Sequence, residues 1–504
     1  MEQSAYNPPR FWWLKRITCA GIACVIFFLA VRLWWGWKAQ RRYDAAIAKW
    51  RAAGEPVWLD DFLRPPLPDD ENAAFFLSEA AKAQQLPSGF QDVGEVEEAI
   101  NSQPDSAPAL VSQLMQMNQE TLRLITAARA RPAADWKLSW RAPLTSVPLS
   151  HLDPTRQLAR LELVVLVARH NAGDDAGALE ACNDILGVAA ALADGPLVSQ
   201  LMSIGFRGLA YDGLERITPT LDIAEKGAGD PLLTGPASRA QVSTLIEALL
   251  DEAECRQAAV RAMHFERMSQ IEDAQMFLSG RWGPFGGPPL LGKLAPHLLL
   301  LRPAWVLDTA FMGEWTTQMA NAMVAANWPA AAAHIPAEVT RRSEIEEAIH
   351  LPSSILLPSL ERAVRLSFRA LATRRMTATA LAIRLYEVDH GRRPGALDEL
   401  VPDYLPALPR DPYAADDRPI GYAPNAPPPV LYCLNLDGVD DGGRFELRTN
   451  GAVDGDAADL VFFLNGDRPR PPLAASASAG QSAATQSAPA SQSSSVETMP
   501  DDRE

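Results

Sequence analysis

The sequence is poor in cysteine, in basic charge and in repeated apolar runs, and each shortage removes a class of protein. Five cysteines are spread over 504 residues, and Cys19 and Cys24 lie inside an apolar N-terminal run, so no disulfide framework can be drawn from Cys182, Cys255 and Cys433. No C-x-x-C, H-E-x-x-H or G-x-S-x-G occurs, and thioredoxin-like redox chemistry, zinc hydrolysis and serine hydrolysis therefore lack their usual signatures. Lys and Arg number 46 against 62 Asp and Glu, a net charge of −16 that repels a phosphate backbone and argues against a nucleic-acid partner. Several apolar runs of about 20 residues would mark a polytopic membrane protein, and they are missing too.

One such run is present. Ile17 to Val31 carries no charge, and Ile17–Trp37 makes 21 residues, about 31 Å of helix and close to the thickness of a hydrocarbon core. Trp12 and Trp13 at one end and Trp34, Trp35 and Trp37 at the other stand where an aromatic belt belongs, with Arg32 near enough to the end to snorkel. No small-x-small cleavage site precedes the tryptophans, so 17–37 reads as an uncleaved anchor after a basic segment, 1–16, with a cleaved signal peptide as the rival. Arg10, Lys15 and Arg16 on one side nearly balance Arg32, Lys38, Arg41 and Arg42 on the other, so charge alone does not orient the chain. The first 42 residues carry a net +6, which leaves −22 on the remainder.

Apolar residues at helical spacing then dominate, which makes the fold class mainly α, with a helical domain over 40–350. Helical segments are expected over Tyr43–Ala53, Glu71–Gln85, Ala107–Ala130, Pro154–Ile217 and Ala304–Ala326. Asn171 to Asp174 should break the fourth into a hairpin, whose Gly173–Leu179 stretch resembles one tetratricopeptide unit; because a solenoid needs about three or more stacked repeats, an ordinary helical pair is the preferred reading. Residues 279–296, rich in Gly and Pro, mark a break in the domain. From Leu360 the apolar spacing runs to a stop at Gly391, with a gap at Arg374-Arg375, and Val430–Leu434 and Leu460–Leu464 read as short strands. The Ala, Ser and Gln tail, 471–504, lacks the apolar residues to offset its ordering entropy and is expected to be disordered.

Motifs in the 360–469 region occur in a telling order. A-L-A-I-R-L-Y-E-V-D-H-G-R-R-P (380–394) is followed by L-P-A-L-P-R-D-P-Y (405–413), then I-G-Y, V-L-Y-C-L-N-L-D-G-V-D-D-G-G (430–443) and A-D-L-V-F-F (458–463). This order resembles the C-terminal module of the major pseudopilin of type II secretion systems. The resemblance implies an α+β module with a long helix, a small antiparallel sheet and a calcium loop, working outside the cytoplasm. The pseudopilin peptidase site is missing ahead of Ile17, and Arg393 stands where the family has an aromatic, so processing and polymerisation as a pilin are not expected. The overall layout also resembles large bacterial membrane-anchored proteins for which it implies no activity.

Among the chemical candidates, the loop Asn435, Asp437, Val439, Asp440 and Asp441, followed by Asp459, groups hard oxygen donors around tight glycine turns, which suits Ca2+; a solvated acidic turn is the alternative. Asp437, Asp459 and one or both of Asp440 and Asp441 would ligate through side chains, with Asn435 and the carbonyls near Leu434 and Val439 completing the shell. Glu347 with His350 and Glu387 with His390 have the E-x-x-H spacing of di-iron bundles but no evident companion carboxylates. Gly287, Gly292 and Lys293 have P-loop spacing, yet Leu294 replaces the magnesium-binding hydroxyl. The expectation is a non-enzymatic, single-pass inner-membrane protein, largely extracytoplasmic, in a structural or interaction role. A helical-repeat adaptor with a protein partner and an enzyme with an unmarked site are the alternatives.

Overall fold

Helix α1 (Trp12–Ala52) runs 41 residues without interruption. The computed structural model describes residues 11–102, 107–141, 143–224, 235–278, 302–335, 351–449, 453–455 and 458–469. The proposed break at 279–296, with its P-loop spacing, the Glu347–His350 pair and the tail 471–504 lie outside these, as do residues 1–10 of the basic segment. The apolar part of α1 is exposed and is long and apolar enough to cross a membrane, as a membrane anchor or a signal sequence would be. Further along the same helix, Ala39, Ala46, Ile47 and Trp50 are buried. The segment expected to begin separately at Tyr43 is therefore the second half of the apolar helix.

The chain continues through α2 (Ala73–Ala83), α3 (Val93–Ser102), α4 (Ala107–Met117), α5 (Gln119–Arg129), α6 (Leu152–Asn171), α7 (Asp175–Ala190), α8 (Leu197–Ile217), α9 (Arg239–Leu250), α10 (Ala253–Leu278), α11 (Arg302–Met323), α12 (Trp328–Ala332) and α13 (Leu351–His390). Short strands follow: β1 (Gly421–Ala423), β2 (Val430–Cys433), β3 (Glu446–Leu447), β4 (Val453–Asp454) and β5 (Leu460–Phe463). The protein is mainly helical, as its periodicity predicts.

The helix expected over Ala107–Ala130 is divided at Asn118, for a local reason. This residue is fully buried, and its amide donates to Leu114 O at 2.9 Å and Gln85 O at 2.8 Å while its oxygen accepts from Gln85 N at 2.9 Å. A side chain that satisfies the backbone beyond α2 and competes for a helical carbonyl ends one helix and opens the next. The hairpin turn falls where the sequence puts it. Gly173 takes φ +77° between α6 and α7, and Asp174 caps α7 by accepting from Gly177 N at 3.1 Å.

Helix α13 packs on α8, α9 and α11 and also carries the C-terminal sheet. Its gap in apolar spacing is occupied by two arginines that reach across to the end of α9 and the residues just beyond it. Arg374 donates to the carbonyls of Ala248, Leu249 and Asp251, capping the end of α9, while Arg375 pairs with Glu252 at 2.7 Å and donates to Arg410 O at 2.7 Å. Gly391, at φ +66°, ends α13 and donates to Glu387 O at 2.8 Å. The expected strands pair antiparallel, with Val430 opposite Phe463 and Cys433 opposite Leu460, and β1 adds an outer strand to give the order β1-β2-β5. One buried apolar cluster extends from Leu77 on α2 through Phe368 on α13 to Phe462 on β5, so helices and sheet share a core.

Candidate functional site

The acidic loop sits at the end of β2, and its donors are largely committed within the protein. Asn435 is buried, donates to Gly455 O and Ala458 O at 2.8 Å each, and accepts from Leu436 N at 2.9 Å. Asp437 is exposed and accepts from Val439 N at 3.1 Å, closing an Asx turn, while the Val439 side chain faces solvent. Asp440 pairs with Arg418 at 2.7 Å, which holds its carboxyl below the usual range, and accepts from Gly442 N at 2.9 Å. Asp441 is half-buried.

Asp459 differs from the rest of the loop set. It is 1% exposed, its Oδ2 accepts from Gly443 N at 2.8 Å, and its Oδ1 is buried with no hydrogen-bond partner. Burial pushes its carboxyl up to about 6, against the pull of the backbone donors. Among the described residues no group of three or more His, Cys, Asp and Glu side chains stands where one metal ion could be held. As arranged here, the loop does not present a calcium cage: Asn435 and Asp440 are occupied, and Asp459 is buried.

A cavity of 220 Å³ lies next to it, between α8, α13 and the C-terminal sheet. Glu215 of α8 forms its floor. Both its oxygens are bound, by Arg468 at 2.6 and 3.0 Å and by Phe463 N at 2.6 Å, although burial still raises its carboxyl. Arg369 of α13 lines the same cavity and makes no ion pair or side-chain hydrogen bond among the described residues. A Cβ at Gly455 would fall 2.0 Å from Arg369 Nη2, so the guanidinium lies where only a glycine backbone leaves room. The sequence reading missed Glu215, Arg369 and Arg468. Glu215 and Arg468 are 253 positions apart, and neither breaks its local pattern.

The remaining histidine candidates serve the fold. Glu387 pairs with Arg384 at 3.1 Å and Arg393 at 2.6 Å, while His390 stacks on Tyr386 with centroids 4.0 Å apart. Arg393 also donates to Leu464 O at 2.8 Å, tying the end of α13 to the end of β5 at the position where the resembled family carries an aromatic. Another buried carboxyl pair lies between α6 and α7. Burial raises both Glu162 and Asp184, Asp184 to about 6, with Arg129 3.2 Å from the latter.

At the base of α1, Arg267 is fully buried. It pairs with Glu55, donates to Pro56 O at 2.9 Å and Thr317 Oγ1 at 2.8 Å, and lies 4.5 Å from the Trp50 ring centroid. With Arg42 paired to Glu314 at 2.9 Å and Tyr43 accepting from Gln275 at 2.9 Å, α1 is tied to both α10 and α11.

No family model matches the chain, and neither a curated protein nor a solved structure matches it.

Proposed function

We propose that this chain is a non-enzymatic, single-pass inner-membrane protein that holds its helical body outside the cytoplasm, close to the membrane surface, in a structural or interaction role. The observation that carries the reading is the continuity of α1: exposed apolar surface at Trp34 and Trp37 gives way to the buried Ala39 without a break in the helix. A flexible tether would let the body diffuse away from the bilayer, whereas a helix locked by Trp50 and the Arg267–Glu55 pair fixes its position. Lys38 over Trp34 at 5.4 Å and Arg41 over Trp37 at 4.7 Å are the cation and aromatic pairs suited to a headgroup layer. A reporter active only in the cytoplasm, fused after Pro471, should stay silent while an export-dependent reporter at the same point is active. The reverse pattern would overturn the orientation.

Calcium binding at the pseudopilin-like loop is a second reading, favoured by the partnerless Asp459 Oδ1 and by the absence of a basic partner for Asp437 and Asp441 among the described residues. Ligation would require the loop to close and Asp440 to leave Arg418. The full chain should then melt higher in millimolar calcium than in chelator, and magnesium should substitute poorly because it demands stricter octahedral geometry. Coincident melting curves would leave the solvated acidic turn as the account of the loop.

A further inference from the structure

Three arginines, at 207, 256 and 374, and a single carboxylate, Glu252, line a cavity of 60 Å³ between α8, α10 and α13. The carboxylate is already shared between Arg375 at 2.7 Å and Arg256 at 3.2 Å. Arg374 makes no ion pair among the described residues: it donates to carbonyls at the end of α9 and, through Nη1, to Cys255 Sγ at 2.7 Å. Arg207 has neither an ion pair nor a side-chain hydrogen bond among the described residues. Tyr211 of α8 joins them. It is 3% exposed, yet a water-sized molecule can reach its hydroxyl, which makes no hydrogen bond among the described residues. Arg374, Arg207 and Cys255 all act on that oxygen and all line this cavity, so the hydroxyl faces it. Burial pushes the hydroxyl up to about 12, so it stays protonated, a donor without an acceptor.

The other end of the cavity is apolar. Ser367 and Phe368 lie two turns before Arg374 on α13, and Ile204 lies two turns before Tyr211 on α8, about 10 Å along each helix. Met323, at the end of α11, closes this end, its Sδ 4.0 Å from Ser367 Oγ. We propose that the cavity binds a short-chain carboxylate, with the anion among Arg207, Arg374 and the Tyr211 hydroxyl and the alkyl chain towards Ile204, Met323 and Phe368. A cation would add positive charge beside three arginines. An inorganic anion would answer the donors and leave the apolar end unfilled, and a neutral amphiphile would leave the arginines unanswered. A carboxylate accepts from guanidinium and hydroxyl together, in charge-assisted hydrogen bonds. The volume, far below the roughly 300 to 1,000 Å³ of drug-sized sites, keeps the chain short.

Cys255 supplies the readout, since it lines the cavity. Its alkylation by iodoacetamide, in the full chain in detergent, is followed by peptide mass spectrometry with and without sodium butyrate. Cys19 and Cys24, exposed on α1, serve as internal reference. At ten times its dissociation constant butyrate should slow alkylation of Cys255 about elevenfold and leave the reference thiols unchanged. From acetate to butyrate the dissociation constant should fall about fourfold per methylene. Chloride and inorganic phosphate at equal ionic strength should not protect. Tyr211→Phe, which keeps the ring, and Arg207→Gln, at a half-buried position, should each weaken butyrate binding by at least about tenfold. The proposal is overturned by any of four results: no protection by any carboxylate, equal protection by chloride or phosphate, the same affinity across the series, or protection that survives both substitutions. A Cys255 thiol that does not react even without butyrate would show the cavity closed to solutes and overturn it as well.

Discussion

A Cβ built on Gly313 would fall 2.4 Å from Cη2 of Trp50, so the indole at the base of the apolar helix occupies the space where any residue other than glycine at position 313 of α11 would carry its Cβ. Trp50 is 2% exposed and is capped on its other side by Arg267. This contact limits how closely α1 can approach α11, alongside the Arg42–Glu314 pair.

Gly313→Ala is therefore expected to destabilise the protein. Alanine favours a helix over glycine by about 1 kcal/mol, so a net loss of about 1–2 kcal/mol would report the clash with the indole. Trp50→Ala should cost about 3–5 kcal/mol, and the double variant less than the sum, because removing the ring removes the clash. Denaturant unfolding followed by circular dichroism measures all three. A Gly313→Ala protein as stable as the parent would mean that the indole can move aside freely.

Arg267→Met should be among the most damaging single changes, at about 3–5 kcal/mol, since among the described residues it leaves Glu55 with only His264, at 3.7 Å, as an ion-pair partner. Glu55→Gln should cost less, because Pro56 O and Thr317 still accept from the guanidinium. Equal losses from the two variants would show that the pair, and not the buried arginine with its other acceptors, dominates.

Asn118→Ala removes the bridge between the α4–α5 junction and Gln85, stranding both the amide and the carbonyl of that residue. A loss of about 2–3 kcal/mol is expected, with faster proteolysis around 84–92. Unchanged hydrogen exchange at Gln85 N would argue that water replaces the side chain without cost.

Two groups should shape the pH dependence with opposite sign. Burial lowers His151, which stacks on Trp136 at 4.4 Å between centroids, to about 4. The unfolded chain then takes up a proton first, so this contribution is full above about pH 6.5 and is lost as pH falls towards 4. Asp459, raised to about 6, does the reverse: its contribution is full below about pH 4 and is lost as pH rises through 6. Across pH 4–7, His151→Phe should flatten the loss on acidification, and Asp459→Asn should gain stability relative to the parent as pH rises. Parallel curves for parent and both variants would remove these residues as the source.

Much of the local structure is legible in the sequence, and the misses have identifiable causes. The stop at Gly391, the turn at Gly173 and the strands at Val430 and Leu460 follow from backbone preferences that act over a few residues. The split at Asn118 escapes because a buried amide and an exposed one look alike within a helical pattern, and only the position of Gln85 decides which it is. Of the loop residues singled out for calcium, Asn435 and Asp459 are buried, unlike those of a solvated acidic turn, and the spacing of polar residues in the sequence does not reveal that burial.

By itself the sequence determined an apolar N-terminal helix of membrane-spanning length, a mainly helical body and a few short C-terminal strands, since each rests on periodicity, glycine conformation and side-chain apolarity within one segment. Tertiary structure alone decided that the apolar helix continues to Ala52 against α11, that Arg374 binds the end of α9 while Arg375 pairs with Glu252 just beyond it, and that Glu215 meets Arg468. These pairings join residues from distant parts of the chain. Chain folding brings them together through burial and the need to satisfy charge in a shared core, and neither force leaves a mark in the local spacing of residues.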